Sequence, residues 1–182
     1  MKECALLTQK ICVTEIEFEK LMRVYYTALI KTKDIIEKLL KNMENEICYN
    51  MAKNISYRIK NPDSIMDKMI KKEYDLIYQS LIENINDIAG IRIVCKSEKD
   101  VYIIARKIEK LKQIRILKRK DYIKNPKESG YSAYHMILDV PIYLKDNRIW
   151  IKVELQIRTI AMDFWANLEH EAKYKIKKEK CI

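Results

Sequence analysis

From Ile149 to Arg158 the chain alternates without a break. Ile149, Ile151, Val153, Leu155 and Ile157 are apolar, and Trp150, Lys152, Glu154, Gln156 and Arg158 stand between them. Strand neighbours two apart lie about 6.5–7 Å apart on one face, so the first set points into a core and the second set points away from it. The chain must therefore build a sheet packed on one side. The other side is either an ordinary solvent-facing surface or the floor of a site that lines up an acid, an amide and cations.

The stretch upstream favours a site. Residues 119–135 read Arg-Lys-Asp-Tyr-Ile-Lys-Asn-Pro-Lys-Glu-Ser-Gly-Tyr-Ser-Ala-Tyr-His. Pro126 and Gly130, one of only two glycines in the chain, punctuate it as a loop, because Pro fixes its backbone and Gly freely takes positive φ. Basic groups hold phosphates, and a tyrosine face can hold a base by stacking. A loop of this composition is suited to gripping a nucleotide.

The chain has 182 residues, of which 48% are hydrophobic, and a net charge of +10. This is enough for one domain with a real core. The charge favours polyanionic partners such as nucleotides or RNA, although a lysine-rich surface alone would give the same number. The five cysteines, Cys4, Cys12, Cys48, Cys95 and Cys181, are odd in number and show no CxxC spacing, which suggests neither a disulfide framework nor a zinc site. The opening Met1–Lys10 segment has too short an apolar run for a signal peptide, and no stretch approaches the ~20 apolar residues that span a bilayer. The expectation is a reduced cytoplasmic protein with no membrane partner.

Apolar residues at Phe18, Leu21, Tyr25, Ala28, Ile35, Leu39, Met43 and Ile47 step mostly by three and four, the face of an amphipathic helix over 15–47. It would run about 50 Å at 1.5 Å per residue, long enough to overhang a small domain and meet a partner subunit. Two shorter helices on one core are the alternative. Residues 54–60 alternate as a strand. Asn61 then caps a helix with Pro62 at its first position, extending to about Lys72. Residues 73–86 read as a linker with a short helix. Ala89–Cys95 is a strand, Glu98–Lys112 a helix and Ile114–Lys120 a strand. Ala133–Tyr143 and Ile149–Ile157 pair as a hairpin about Lys145-Asp146-Asn147, and a last helix covers Thr159–Lys175. The fold class is α+β, with a mixed central β-sheet flanked by helices. Residues 1–50 carry the N-terminal amphipathic helix, packing on the core or on a partner subunit, and 51–182 form the sheet-bearing domain.

Asp87 lies just before one strand, and Glu154 lies on another. Two such carboxylates can share a Mg²⁺, which prefers a few carboxylates plus phosphate oxygens. Local turn bonding is the other reading of Asp87. Arg58, Lys60 and Lys68 flank the Asn61-Pro62 helix start, with Ser64 in its first turn, a place for a triphosphate or simply surface charge. His135 and His170 are the two histidines and cannot supply a His/His/Asp metal site.

Four stretches together resemble the (p)ppGpp synthetase domain of the RelA/SpoT family, in particular its single-domain small alarmone synthetases of the RelQ type. They are Ser56-Tyr-Arg-Ile-Lys-Asn-Pro-Asp-Ser-Ile, Asp87-Ile-Ala-Gly-Ile-Arg92, Lys120 to Tyr131 with His135, and Val153-Glu-Leu-Gln-Ile-Arg-Thr to His170. They cover most of residues 55–175 in family order. The resemblance implies a nucleotidyltransferase-like synthetase fold that moves the β,γ-diphosphate of ATP to the 3′-hydroxyl of GDP or GTP and releases AMP in the stringent response. It implies Mg²⁺ on Asp87 and Glu154, with Glu154 also the general base. Arg58 and Arg92 would sandwich adenine, and Lys60, Ser64 and Lys68 would meet the ATP phosphates. Lys120, Lys127, Tyr131, His135, Gln156 and Asp163 would serve the acceptor, Tyr131 by stacking on guanine and Asp163 by reading its edge. A homo-oligomer, a tetramer by resemblance, is implied as well. The chain departs from the family at Gly130-Tyr131-Ser132-Ala133, where relatives commonly have Gly-Tyr-Arg-Ser or Gly-Tyr-Gln-Ser. A cation and a hydroxyl near the acceptor phosphates are then missing.

Two other functions fit parts of the pattern. Another Mg-dependent nucleotidyltransferase would use the same carboxylates but release pyrophosphate. A non-catalytic RNA-binding module would use the basic loop with strong salt dependence, although Glu154 on that face would repel phosphate.

Overall fold

A computed structural model describes residues 15–145 and 147–179. Cys4, Cys12, Cys181, the Met1–Lys10 segment and Asp146 of the hairpin lie outside them. Ten elements follow one another: α1 (Glu15–Ile47), β1 (Ala52–Ile59), α2 (Pro62–Lys71), α3 (Tyr78–Asn84), β2 (Ala89–Cys95), α4 (Glu98–Glu109), β3 (Arg115–Asp121), β4 (Tyr134–Leu144), β5 (Asn147–Thr159) and α5 (Ile160–Glu179). The five strands form one mixed sheet in the order β1-β2-β5-β4-β3. Only β2 and β5 run parallel, and the other pairs are antiparallel. The mixed α+β architecture is the expected one, and element ends move by a few residues.

α1 is one continuous helix of 33 residues, not two. Its buried side chains, Leu21, Tyr25, Ala28, Leu29, Ile36 and Met43, belong to the core, and it packs across β1, β2, β4 and β5. Thr32 fills the step that lacks an apolar residue. It is fully buried, and its hydroxyl donates to the Ala28 carbonyl at 2.6 Å, so no polar group is left orphaned.

The alternation of β5 sets the middle of the sheet. Val153, Leu155 and Ile157 are fully buried against Met136, Leu138 and Val140 of β4 and Ile91 and Ile93 of β2. Each fully buried side chain of this size contributes about 1.5–3 kcal/mol. α4 closes this face with Val101, Ile104 and Ile108. Its start is fixed by a reciprocal capping box in which Ser97 and Asp100 satisfy each other's backbone N–H.

Register decides what the opposite face holds. Arg58 pairs with Gly90, Gly90 with Glu154 and Glu154 with Ile137. Ser56, Arg92, Gln156, His135 and Lys120 form the adjacent row by the same pairings. Partners in register share a face. Arg58 and Glu154 of the first row therefore stand beside a second row that is polar across all five strands.

Candidate active site

On this polar face a cleft of about 490 Å³ is lined by eight of the residues singled out in the sequence: Arg58, Asp87, Arg92, Lys127, Tyr131, His135, Glu154 and Gln156. A neighbouring hollow of about 260 Å³ shares Asp87, Lys127, His135 and Glu154 and adds Lys68 and Lys120. Lys60 reaches Asp87, and Asp163 reaches Arg92. Ser64 is exposed on the first turn of α2, apart from these contacts.

Asp87 is clamped by two cations, with Lys60 Nζ at 2.8 Å and Lys68 Nζ at 2.7 Å. Lys68 is one helical turn beyond Ser64 in α2, whose N-terminus Asn61 caps by accepting from the Asp63 N–H. Burial pushes the Asp87 carboxyl up, but the two lysines outweigh it and hold the group below the ordinary aspartate range.

Glu154 belongs to a longer network. Its Oε2 accepts from Gln156 Nε2 at 2.8 Å, and its Oε1 lies 3.2 Å from His135 Nδ1. Here too burial raises the carboxyl and is outweighed, chiefly by His135 and then Gln156, so that its pKa falls below the usual glutamate value. The repulsion felt from Asp87 places the two carboxylates within electrostatic reach of each other.

Beyond His135, its Nε2 meets the Tyr131 hydroxyl at 2.7 Å. Arg158 Nη2 donates to that hydroxyl and to Gln156 Oε1, both at 2.6 Å, and Arg158 Nη1 donates to Asp163 Oδ1 at 3.2 Å. Arg92 Nη1 meets the same Asp163 oxygen at 3.1 Å. Burial first, then the nearby Arg158 and Arg58, press the Arg92 guanidinium toward deprotonation, with Asp163 opposing them. Three guanidiniums crowded on one face favour a ligand with negative charge or a π-face.

Gly90 floors the hollow of about 240 Å³ that Arg58 and Arg92 line. A Cβ there would stand 3.9 Å from the Arg58 Cγ, inside that space. The loop between β3 and β4 is held by α5: Gly130 has φ +79° and lies against the Trp165 ring, whose Nε1 donates to the Ser129 carbonyl at 3.2 Å.

Two loop expectations change. Tyr131 is 9% exposed. Its ring packs edge-on with Tyr122 and His135, and Lys127 Nζ sits 4.5 Å from its centroid, so its face is covered in this form. Ala133 is fully buried, with its carbonyl accepting from the Tyr122 N–H. A hydroxyl at that position would point into the core and not toward a phosphate.

Two residues of the site escaped the sequence reading, and a third, Arg158, was placed on the polar face without a role and without its burial at 3% exposure being foreseen. Gly90 was signalled by facing Glu154 only once register was known. Trp165, 35 positions beyond Gly130, left no local signal. Among the described residues there is no cluster of three or more His, Cys, Asp or Glu that could hold a metal, and no helix is long and apolar enough to cross a membrane.

Residues 57–179 match the family model described as the region found in RelA / SpoT proteins. The chain is 40% identical to the GTP pyrophosphokinase YwaC of Bacillus subtilis over 70% of its own length and 61% of that protein. It is 32% identical to the GTP pyrophosphokinase YjbM of the same organism over 87% and 74%. The fold matches the small alarmone synthetase 1 from Bacillus subtilis, solved bound to its product pppGpp. That match has a TM-score of 0.81 and 30% identity, and covers 90% of this chain and 83% of that one.

Proposed function

This chain belongs to the RelA/SpoT family, and from that premise we propose that it is a GTP diphosphokinase making (p)ppGpp. The 3′-oxygen of GDP or GTP attacks the β-phosphorus of ATP. The bond from that phosphorus to the α,β-bridging oxygen breaks, AMP leaves with the oxygen, and the hydroxyl proton goes to Glu154. The observation that carries this reading is the pair of carboxylates, Asp87 and Glu154, held below their ordinary pKa values in a cleft that also gathers Arg58, Arg92, Lys127 and Arg158.

Two hard carboxylates fit a Mg²⁺ that takes its remaining oxygens from phosphate and water. Asp87 and Glu154 would hold it, and it would supply charge that offsets the phosphates during transfer. Lys60 and Lys68, which pair with Asp87, would turn to the ATP phosphates. Arg58 and Arg92 flank the hollow above Gly90, which suits a planar adenine between guanidiniums. Lys120 and Lys127, both exposed, would meet acceptor phosphates. As Lys127 lifts from Tyr131, a ring face opens to guanine. Asp163 would exchange one of its two arginines for the guanine edge. Gln156 and His135 keep Glu154 oriented.

Incubation with γ-labelled ATP, Mg²⁺ and each guanine nucleotide tests the reading. Labelled guanosine polyphosphate with free AMP is expected, and Glu154→Gln should abolish it while ATP still binds. Free pyrophosphate would instead indicate nucleotidyl transfer, and ATP left intact would sink the proposal. A homo-oligomer, a tetramer by resemblance, is supported by Ile160, Phe164 and Leu168, exposed at 51%, 65% and 45% along one stripe of α5. Sedimentation of the intact chain should show more than a monomer, and Phe164→Glu should shift it toward one. A monomer at micromolar concentration would rule this out.

A further inference from the structure

We propose that Arg158 is the positioning residue of Glu154, acting through two hydrogen-bonded arms that oblige His135 and Gln156 each to turn a donor toward its carboxylate. The inference rests on the reading of Glu154 as the proton acceptor.

The direction of each arm follows from what arginine cannot do. A guanidinium carries only donors. Where Arg158 Nη2 meets the Tyr131 hydroxyl at 2.6 Å, the phenol oxygen accepts. The single phenol proton is then free for its other neighbour, His135 Nε2 at 2.7 Å. Nε2 then accepts, which assigns the ring proton to Nδ1, and Nδ1–H donates to Glu154 Oε1 at 3.2 Å. The second arm obeys the same rule. Arg158 donates to Gln156 Oε1 at 2.6 Å, which fixes the amide orientation and leaves Nε2 to donate to Glu154 Oε2 at 2.8 Å.

Both oxygens of Glu154 are thus held by donors whose orientation is set one residue away, at a side chain only 3% exposed. Arg158 keeps this place although its Nε is buried without a hydrogen-bond partner among the described residues, a loss it accepts because its Nη groups are engaged. Lysine cannot replace it, because a compact ammonium lacks the rigid planar fork.

The histidine tautomer is the direct readout. It is obtained from two-bond ¹⁵N–¹H couplings in ¹⁵N-histidine-labelled full-length protein without nucleotide. With two histidines in the chain, His170→Gln assigns the signals. Wild-type His135 should carry its proton on Nδ1. In Tyr131→Phe, which keeps the ring and removes only the hydroxyl, the proton should move toward Nε2, the form free imidazole prefers in water. In Arg158→Lys and Arg158→Met a mixture should appear. Steady-state kinetics gives the second readout. Each of these variants should lower kcat by about ten- to a hundredfold, as misorientation of a catalytic group does, and leave the ATP KM within about twofold. If the Arg158 variants do not fold, Tyr131→Phe decides the histidine arm, since it breaks the link from Arg158 to His135 while Arg158 and the ring remain. An Nε2–H tautomer in the wild type overturns the inference. So does an unchanged tautomer in the variants, or an unchanged kcat. A chain that shows the Nδ1–H form but makes no guanosine polyphosphate overturns the functional reading itself, and with it the role of Arg158.

Discussion

Asp87 and Glu154 illustrate how single residues here are governed by opposed forces of known sign. Burial alone would neutralise both carboxyls, and donors packed against them reverse that. A carboxyl whose folded pKa lies below its unfolded one stabilises fully above the unfolded value, and loses that contribution as pH falls through the folded one. Asp87→Asn should therefore destabilise the chain by roughly 1–2 kcal/mol at neutral pH, a figure reduced because Lys68 is partly exposed. The gap between wild type and variant should close below about pH 4, the ordinary aspartate value. Denaturant melts at pH 7, 5 and 3 would show it, and a gap that widened toward acid would reverse the sign. The loop substitutions separate in the same way. A well-placed cation on phosphate contributes about 1.5–3 kcal/mol. Ser132→Arg should lower the acceptor KM about tenfold, leave that of ATP alone, and lose its gain as salt rises. Ala133→Ser should give no such gain and should lower the melting temperature, because its hydroxyl would be buried. Equal KM changes for both nucleotides in the arginine variant would show that Lys127 already fills the place.

At the level of elements, the loop between β3 and β4 is held from outside rather than by its own sequence. Gly130 adopts a left-handed backbone, and a side chain there would meet the Trp165 ring. Gly130→Ala meets both conditions at once: positive φ costs an L-residue about 1–2 kcal/mol, and the added methyl would stand 3.4 Å from the indole. The acceptor KM should rise several-fold with little change for ATP. Unaltered kinetics would mean that α5 does not govern the loop. Capping and strand pairing followed local chemistry: Asn61-Pro62 starts α2, and the alternation of β5 matches its burial. The exposed edge strand β3 carries Arg115, Lys118, Arg119 and Lys120, charges that discourage edge-to-edge association.

For the molecule as a whole, the long helix is the least expendable part. Six of its side chains enter the core beneath the sheet, and Lys31 Nζ donates to the Pro141 carbonyl at 2.6 Å. The division at residue 50 therefore marks a change of element rather than a unit that stands apart. A chain of residues 51–182 should fail to show a cooperative thermal transition, since the sheet would expose the surface that Leu21, Tyr25, Ile36 and Met43 cover. A sharp melt of that fragment, followed by circular dichroism, would establish that the catalytic part folds alone.

Local pattern was enough for the strands and most helix positions, and it put Glu154 on the polar face of β5, while for Asp87 it left turn bonding and a metal role equally open. Period-two and period-3.6 spacing, together with turn residues, act over a few neighbours and are written directly into the chain. Which strands lie side by side was decided by tertiary structure. Glu154 meets Gly90 and His135 meets Gln156 only through register between segments tens of residues apart. Long-range packing likewise buried Tyr131 and Ala133, put Trp165 over Gly130 and placed Arg158 between Tyr131 and Asp163. No spacing rule within one segment encodes contacts of this kind, because their free energy comes from groups that approach only after the sheet has closed.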